Sequence, residues 1–138
     1  KGAMDLYGVQ VSWFSLPHPQ QCLAFRFQSA RRTVVLATDA EYEEGAIDPA
    51  FIGFCKSADA LIFDTHFLPS EYARHRGWGH STWAVAVEVA EKAGIAELVM
   101  THHSPEKVDS DVARIEQAAR ERFPGAVASR ENMAVRME

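Results

Sequence analysis

Leu98-Val99-Met100-Thr101-His102-His103-Ser104-Pro105 is the stretch on which the reading of this chain turns. An apolar run gives way within one residue to a pair of histidines and then to proline. A compact buried strand over residues 96–100 therefore ends in a loop that carries ionisable side chains. Two earlier segments repeat the arrangement. Val34-Val35-Leu36-Ala37-Thr38-Asp39 is a β-branched run closed by an aspartate, and Leu61-Ile62-Phe63-Asp64-Thr65 is a compact apolar run that also ends in one. Asp39, Asp64 and His102 thus fall at the carboxyl ends of three expected strands, the edge where sites are built in sheets with helical crossovers.

Working outward, residues 7–14 and 22–28 have strand composition, and the prolines of Leu16-Pro17-His18-Pro19 end the first of them. The short polar turn 29–32 predicts an antiparallel hairpin between strands 22–28 and 33–38. Asp48-Pro49 is an N-cap followed by proline at the first helical position, which opens a helix through about Lys56. Further helices are expected over 69–75, over 82–93 with Gly94 as its stop, and from a Ser110 cap to Arg122, ended by Pro124-Gly125. Strand pieces are expected at Val127 and over 133–137. The order β-β-β, then α-β-α-α-β-α-β, predicts an α/β domain with a mixed sheet and helices mainly on one face.

The 138 residues, 47% hydrophobic and 24% charged, suit one globular domain. Lys1-Gly2-Ala3-Met4 reads as a cloning or protease-site scar and is set aside from fold reasoning, leaving residues 5–138 as the domain. A net charge of -5 gives no basic footprint for strong nucleic-acid binding. No apolar run approaches the ~20 residues of a membrane span. Cys22 and Cys55 make no disulfide framework and read as reduced, buried thiols, so a cytoplasmic location is expected.

His80 lies in the Gly-rich stretch Gly77-Trp78-Gly79-His80-Ser81-Thr82 ahead of a helix, and His18 in a loop after a strand. Histidines and aspartates on separate loops converging at one sheet edge are what a metal-hydrolase site requires, with zinc or manganese held by imidazole and carboxylate. Each also has a plainer role open to it. Asp39 can be a turn aspartate, His102 a strand-end residue bonded to backbone, and His80 a loop residue before a helix cap.

The four ordered segments ending at Asp39, at Asp64-Thr65, at His80-Ser81-Thr82 and at Thr101-His102-His103-Ser104, with Leu16-Pro17-His18-Pro19 ahead of them, resemble the C-terminal half of a metallo-β-lactamase-fold hydrolase. The branch they resemble holds ribonuclease Z and phosphodiesterase-like proteins. The resemblance implies the C-terminal half of an αββα sandwich that carries two metal ions. His18 would be a ligand of the first metal, Asp39 the carboxylate bridging both, and His102 a ligand of the second. His80 would be the catalytic proton donor beside a scissile phosphodiester, and Asp64 the acid that orients it. A hydroxide shared by the metals would be the nucleophile.

The family's His-x-His-x-Asp-His signature appears nowhere in the chain. Its absence leaves His18 without metal partners, and Asp39 with His102 as only two ligands, where a catalytic zinc generally needs three. The expectation is a portion of a metal-dependent hydrolase of small phosphodiesters that binds metal weakly and is inactive alone. The alternative is a non-catalytic module that dimerises or regulates. A half-sandwich would expose an apolar sheet face, so a homo-oligomer or a complementary N-terminal half is the expected partner. His66 and His75 read as surface or outlying residues, His103 as exposed, and the Glu41, Glu43, Glu44 run as an acidic loop that repels polyanions. Trp78 and Trp83 read as packing near the site rim.

Overall fold

A computed structural model describes residues 2–136. Its strands are β1 (Gly2–Leu6), β2 (Val9–Leu16), β3 (Cys22–Gln28), β4 (Thr33–Ala37), β5 (Ala60–Asp64), β6 (Glu97–Thr101) and β7 (Ala126–Ala128). The helices are α1 (Pro49–Cys55), α2 (Pro69–His75), α3 (Trp83–Ala93) and α4 (Asp109–Arg122). The strands form one sheet in chain order, antiparallel from β1 to β4 and parallel from β4 to β7. The change of sense falls where the hairpins stop and the helical crossovers begin, as parallel neighbours require.

Strand alternation sorts the sheet into two faces. Val35, Leu61, Leu98 and Ala126 pair in one row, and Ala37, Phe63, Met100 and Ala128 in the next. Both rows join a core with Phe51 and Cys55 of α1, Val85 and Val89 of α3, and Ile115 and Ala119 of α4. Each fully buried Phe or Leu contributes about 1.5–3 kcal/mol to this layer. α2 buries no side chain and lies out by the site loops.

The opposite face carries its own apolar row. Trp13 pairs with Phe25, Phe25 with Leu36, Leu36 with Ile62, Ile62 with Val99, and Val99 with Val127. Val11, Val34 and Val99 on this face are buried but stand outside the helix-side core, and the larger side chains are only half-buried. This half-buried apolar sheet face is the one a half-sandwich would leave open.

Four expectations need correction. Gly2, Ala3 and Met4 belong to β1 and pair with Trp13, Ser12 and Val11, so setting them aside lost a strand; Lys1 lies outside the described residues. The left-handed Tyr7 and Gly8 make the two-residue turn between β1 and β2, so the strand expected over 7–14 starts at Val9. α4 opens at Asp109, one residue before Ser110, with Val108 at its cap position, and the Asp111 carboxylate reaches back to accept from the Val108 N–H. Residues 131–136 are turn and irregular chain because no neighbouring strand edge is paired with them; Met137 lies outside the described residues. No helix among the described residues is long and apolar enough to cross a membrane.

Candidate metal centre

Asp64 is the hub of the sheet edge. It ends the interior strand β5, is fully buried, and its two oxygens accept four hydrogen bonds. Oδ2 takes the Asp39 backbone N–H at 3.0 Å, His80 Nδ1 at 2.8 Å and His102 Nδ1 at 3.1 Å. Oδ1 takes the His66 N–H at 3.1 Å. Burial alone would raise the Asp64 pKa, but the bonds from His102 and His80 outweigh it and hold the carboxyl below its usual range. An ionised carboxylate can only accept, so both imidazoles carry their proton on Nδ1. Nε2 of each is left as the nitrogen available for other chemistry, the arrangement in which a carboxylate orients a metal-ligating histidine.

The backbone helps place these groups. Asp39, two residues beyond the end of β4, and His102, directly after β6, are both in the left-handed conformation, at φ 56° and 59°. That turn brings His102 Nε2 to 3.8 Å from Asp39 Oδ1, and His18 Nε2 lies 3.9 Å from the same oxygen. Asp39 is therefore flanked by the two imidazoles. The bond to Asp64, followed by the charges of Asp64 and Asp39, raises the His102 pKa against the opposing effect of burial.

Two donors held by one zinc at about 2.0–2.1 Å each can be at most ~4.2 Å apart. Both Asp39 contacts fall inside that span, so the residues present fit a divalent ion held by Asp39 and His18 and a second held by Asp39 and His102. His18, Cys22 and Asp39 offer donor atoms within 4.8 Å of one another, as do Asp39, Asp64, His80 and His102, and also His66, His80 and His102.

His80 reaches the hub because its loop is tied down. Glu41 accepts from the Gly77 N–H at 2.6 Å and the Gly79 N–H at 2.7 Å, and from Tyr72 Oη at 3.0 Å. Gly79 has φ +95°, and a Cβ there would stand 2.1 Å from His18 Cδ2, so glycine is needed both for the turn and for the imidazole beside it. Ser81 donates to the Ala40 carbonyl and accepts from the Tyr42 N–H, fastening the same loop to the end of β4.

All five residues singled out in the sequence, His18, Asp39, Asp64, His80 and His102, meet at this edge. Others were missed. His66, read as outlying, stacks on His80 with ring centroids 4.4 Å apart and bonds its Nδ1 to the His102 carbonyl. Its two-residue separation from Asp64 at a strand end was the available signal. Burial lowers the His66 pKa. His103, expected to be exposed, is half-buried, with Nε2 buried without a partner and Nδ1 3.4 Å from Thr65 Oγ1. Cys22, expected to be buried, is half-buried beside His18, while Cys55 is buried as expected. Burial first, then Asp39 and Asp64, raises the Cys22 pKa. Glu41 is a strut of the His80 loop rather than a free acid. Trp78 is exposed and meets Phe67 and His75 edge-on, and His75 stacks on Phe67, which in turn borders His80.

A mixed sheet covered by helices on one side, with histidines and aspartates gathered at the carboxyl ends of its strands, is the metallo-β-lactamase class of fold. Residues 5–103 match the family model described as Beta-lactamase superfamily domain, and the chain belongs to that family. Ribonuclease Z of Gemmatimonas aurantiaca is 34% identical over 106 residues, covering 77% of this chain and 32% of that protein. The metallo-β-lactamase fold protein YhfI of Bacillus subtilis superposes with TM-score 0.75 at 23% identity, over 94% of this chain and 50% of YhfI. The short form of human tRNase Z superposes with TM-score 0.71 at 19% identity, over 98% of this chain and 46% of that protein. The chain thus spans about a third of the length of the first curated relatives it matches.

Proposed function

We propose that the chain is the portion of a metal-dependent hydrolase that contributes a bridging aspartate, one ligand to each of two metals and the leaving-group acid, and that its substrate is a small phosphodiester. His18, Asp39 and His102 would hold zinc or manganese. The chemistry such ions supply when bound is Lewis-acid polarisation of the phosphoryl group and a water activated at neutral pH. The single observation that carries the reading is the shared oxygen of Asp64, which fixes His80 and His102 by their Nδ1 atoms. His102 is thereby presented as a ligand while His80 is left to act on substrate. Protonated His80, its charge balanced by the buried carboxylate, would hold a phosphoryl oxygen through Nε2–H and pass that proton to the departing alkoxide. Asp39 would accept no proton in this scheme; its carboxylate is committed between two imidazoles.

Ribonuclease Z relatives make RNA an obvious substrate, yet the rim beside His18 is acidic. A cleft of about 810 Å³ opens there, lined among others by Pro17, Glu43, Asp48, Tyr72 and Arg76. Of these side chains Arg76 is already paired with Glu43. Such a rim favours a small substrate over a polyanion.

The apolar row from Trp13 to Val127 supports a partner on the open face, either the complementary half of the sandwich or a second copy of this chain. It also keeps a second reading in view, a dimerising module without catalysis. The two separate when dimethyl phosphate is titrated into the zinc-loaded chain and histidine side chains are followed by NMR. The proposal expects shifts at His80 that vanish in His80→Gln, with no turnover of a generic phosphodiester by the chain alone. Shifts absent from His80 would overturn it.

A further inference from the structure

We propose that Cys22 is a metal ligand, its thiolate completing with His18 and Asp39 a three-ligand zinc site built wholly from this chain. The inference rests on the reading that His18 and Asp39 face a metal, and adds to it a ligand that the sequence reading treated as an inert thiol.

Three placements carry it. Leu16 pairs with Cys22 across the β2–β3 hairpin, so the loop between them, which carries His18, folds back over the cysteine. Within that loop the Gln21 N–H donates to the His18 carbonyl, which closes the turn. The β3–β4 pairing of Phe25 with Leu36 is antiparallel, and continuing it outward sets Cys22 opposite Asp39. Three elements thereby bring sulfur, imidazole and carboxylate within 4.8 Å of one another. Bonds of about 2.3 Å to sulfur and 2.0–2.1 Å to nitrogen or oxygen span at most ~4.4 Å, so small side-chain rotations close the set. Cys22 has no disulfide partner to compete for it.

The chemistry selects the ion. Thiolate with imidazole and carboxylate suits zinc and disfavours manganese, which prefers an all-oxygen shell. Three protein ligands meet the minimum that the missing His-x-His-x-Asp-His motif had left unmet, and leave a fourth position for water. On binding, the Cys22 thiol releases its proton to solvent as the sulfur–metal bond forms, and no oxidant or reductant is involved. His18 takes the metal on Nε2 and moves its ring proton to Nδ1, giving up the exposed contact with the Gln20 N–H.

The experiment is titration of the intact chain with cobalt(II), read by absorption, followed by competition with zinc. A thiolate-to-cobalt charge-transfer band should grow to one equivalent, disappear in Cys22→Ser and persist in Cys55→Ser. Zinc affinity should fall at least about tenfold in Cys22→Ser. Independently of any variant, zinc should slow alkylation of Cys22 by iodoacetamide in the unaltered chain, with the site assigned by mass spectrometry. Cobalt bound without a thiolate band, and lost only in Asp39→Ala or His102→Ala, would overturn this inference while leaving the proposed function standing. No cobalt or zinc bound at all would overturn both.

Discussion

His80 Nδ1 lies 2.8 Å from Asp64 Oδ2, and that oxygen also receives His102 and the backbone of Asp39. One buried atom thus sets the orientation of a proposed acid and a proposed ligand and anchors the turn that aims a second ligand. Replacing it by an amide, in Asp64→Asn, puts a donor or a weak acceptor where three donors converge. Urea denaturation should show a loss of about 3 kcal/mol. Zinc affinity should fall 10–100-fold even though Asp64 is not placed as a ligand.

Glu41 holds the His80 loop by accepting from the backbone amides of Gly77 and Gly79. In Glu41→Gln one oxygen becomes an NH₂ facing an amide N–H. The cost should be about 1–3 kcal/mol. Hydrogen exchange should accelerate first at Gly77 and Gly79, while exchange in α3 follows only the global change.

Gly79→Ala meets two obstacles at once, a φ of +95° and a Cβ 2.1 Å from the His18 ring. A destabilisation of about 1–3 kcal/mol is expected, together with weakened zinc binding as His18 is pushed aside. Gly45→Ala, which has a positive φ but nothing near its Cβ, separates the two effects: it should cost stability and leave zinc binding unchanged.

Glu71 ties α2 to the chain beyond His102, accepting from the Leu68 N–H at 2.8 Å and Lys107 Nζ at 2.9 Å. Burial opposes, but these two partners hold its pKa below the usual glutamate range. A depressed folded-state pKa gives stability that is present above the unfolded value of about 4.3 and disappears as pH falls through the folded one. Glu71→Gln should therefore cost up to about 1 kcal/mol at pH 7, discounted because the pair is partly exposed. Urea midpoints of variant and parent should converge on acidification; a gap that does not change with pH would contradict the assignment.

Much of this was legible in the sequence. The carboxyl-end positions of Asp39, Asp64 and His102 followed from apolar runs that stop abruptly, and caps, stop residues and helical spacing placed the four helices. Contacts between distant segments were not legible. Glu41 reads as one acid among three because its partners, Gly77 and Gly79, are backbone amides 36 and 38 residues away. His66 and Cys22 look ordinary until the sheet brings β3, β4 and β5 together. β1 was lost because Gly2-Ala3-Met4 has little strand propensity of its own and is held by its pairing with β2.

The row Trp13, Phe25, Leu36, Ile62, Val99, Val127 predicts association of the isolated chain. Light scattering at micromolar concentration should report an oligomer, and Phe25→Glu should reduce it to a monomer without loss of the helix-side core. A parent chain that is already a clean monomer would contradict this.

The central claim is that this sheet edge binds a divalent metal through Asp39 with histidines on either side. The most direct measurement is the zinc content of the chain after saturation and exhaustive dialysis, compared with Asp39→Ala and His18→Ala. The account predicts stoichiometric zinc in the parent and its loss in both variants. Zinc absent from the parent, or equal in all three, would contradict it.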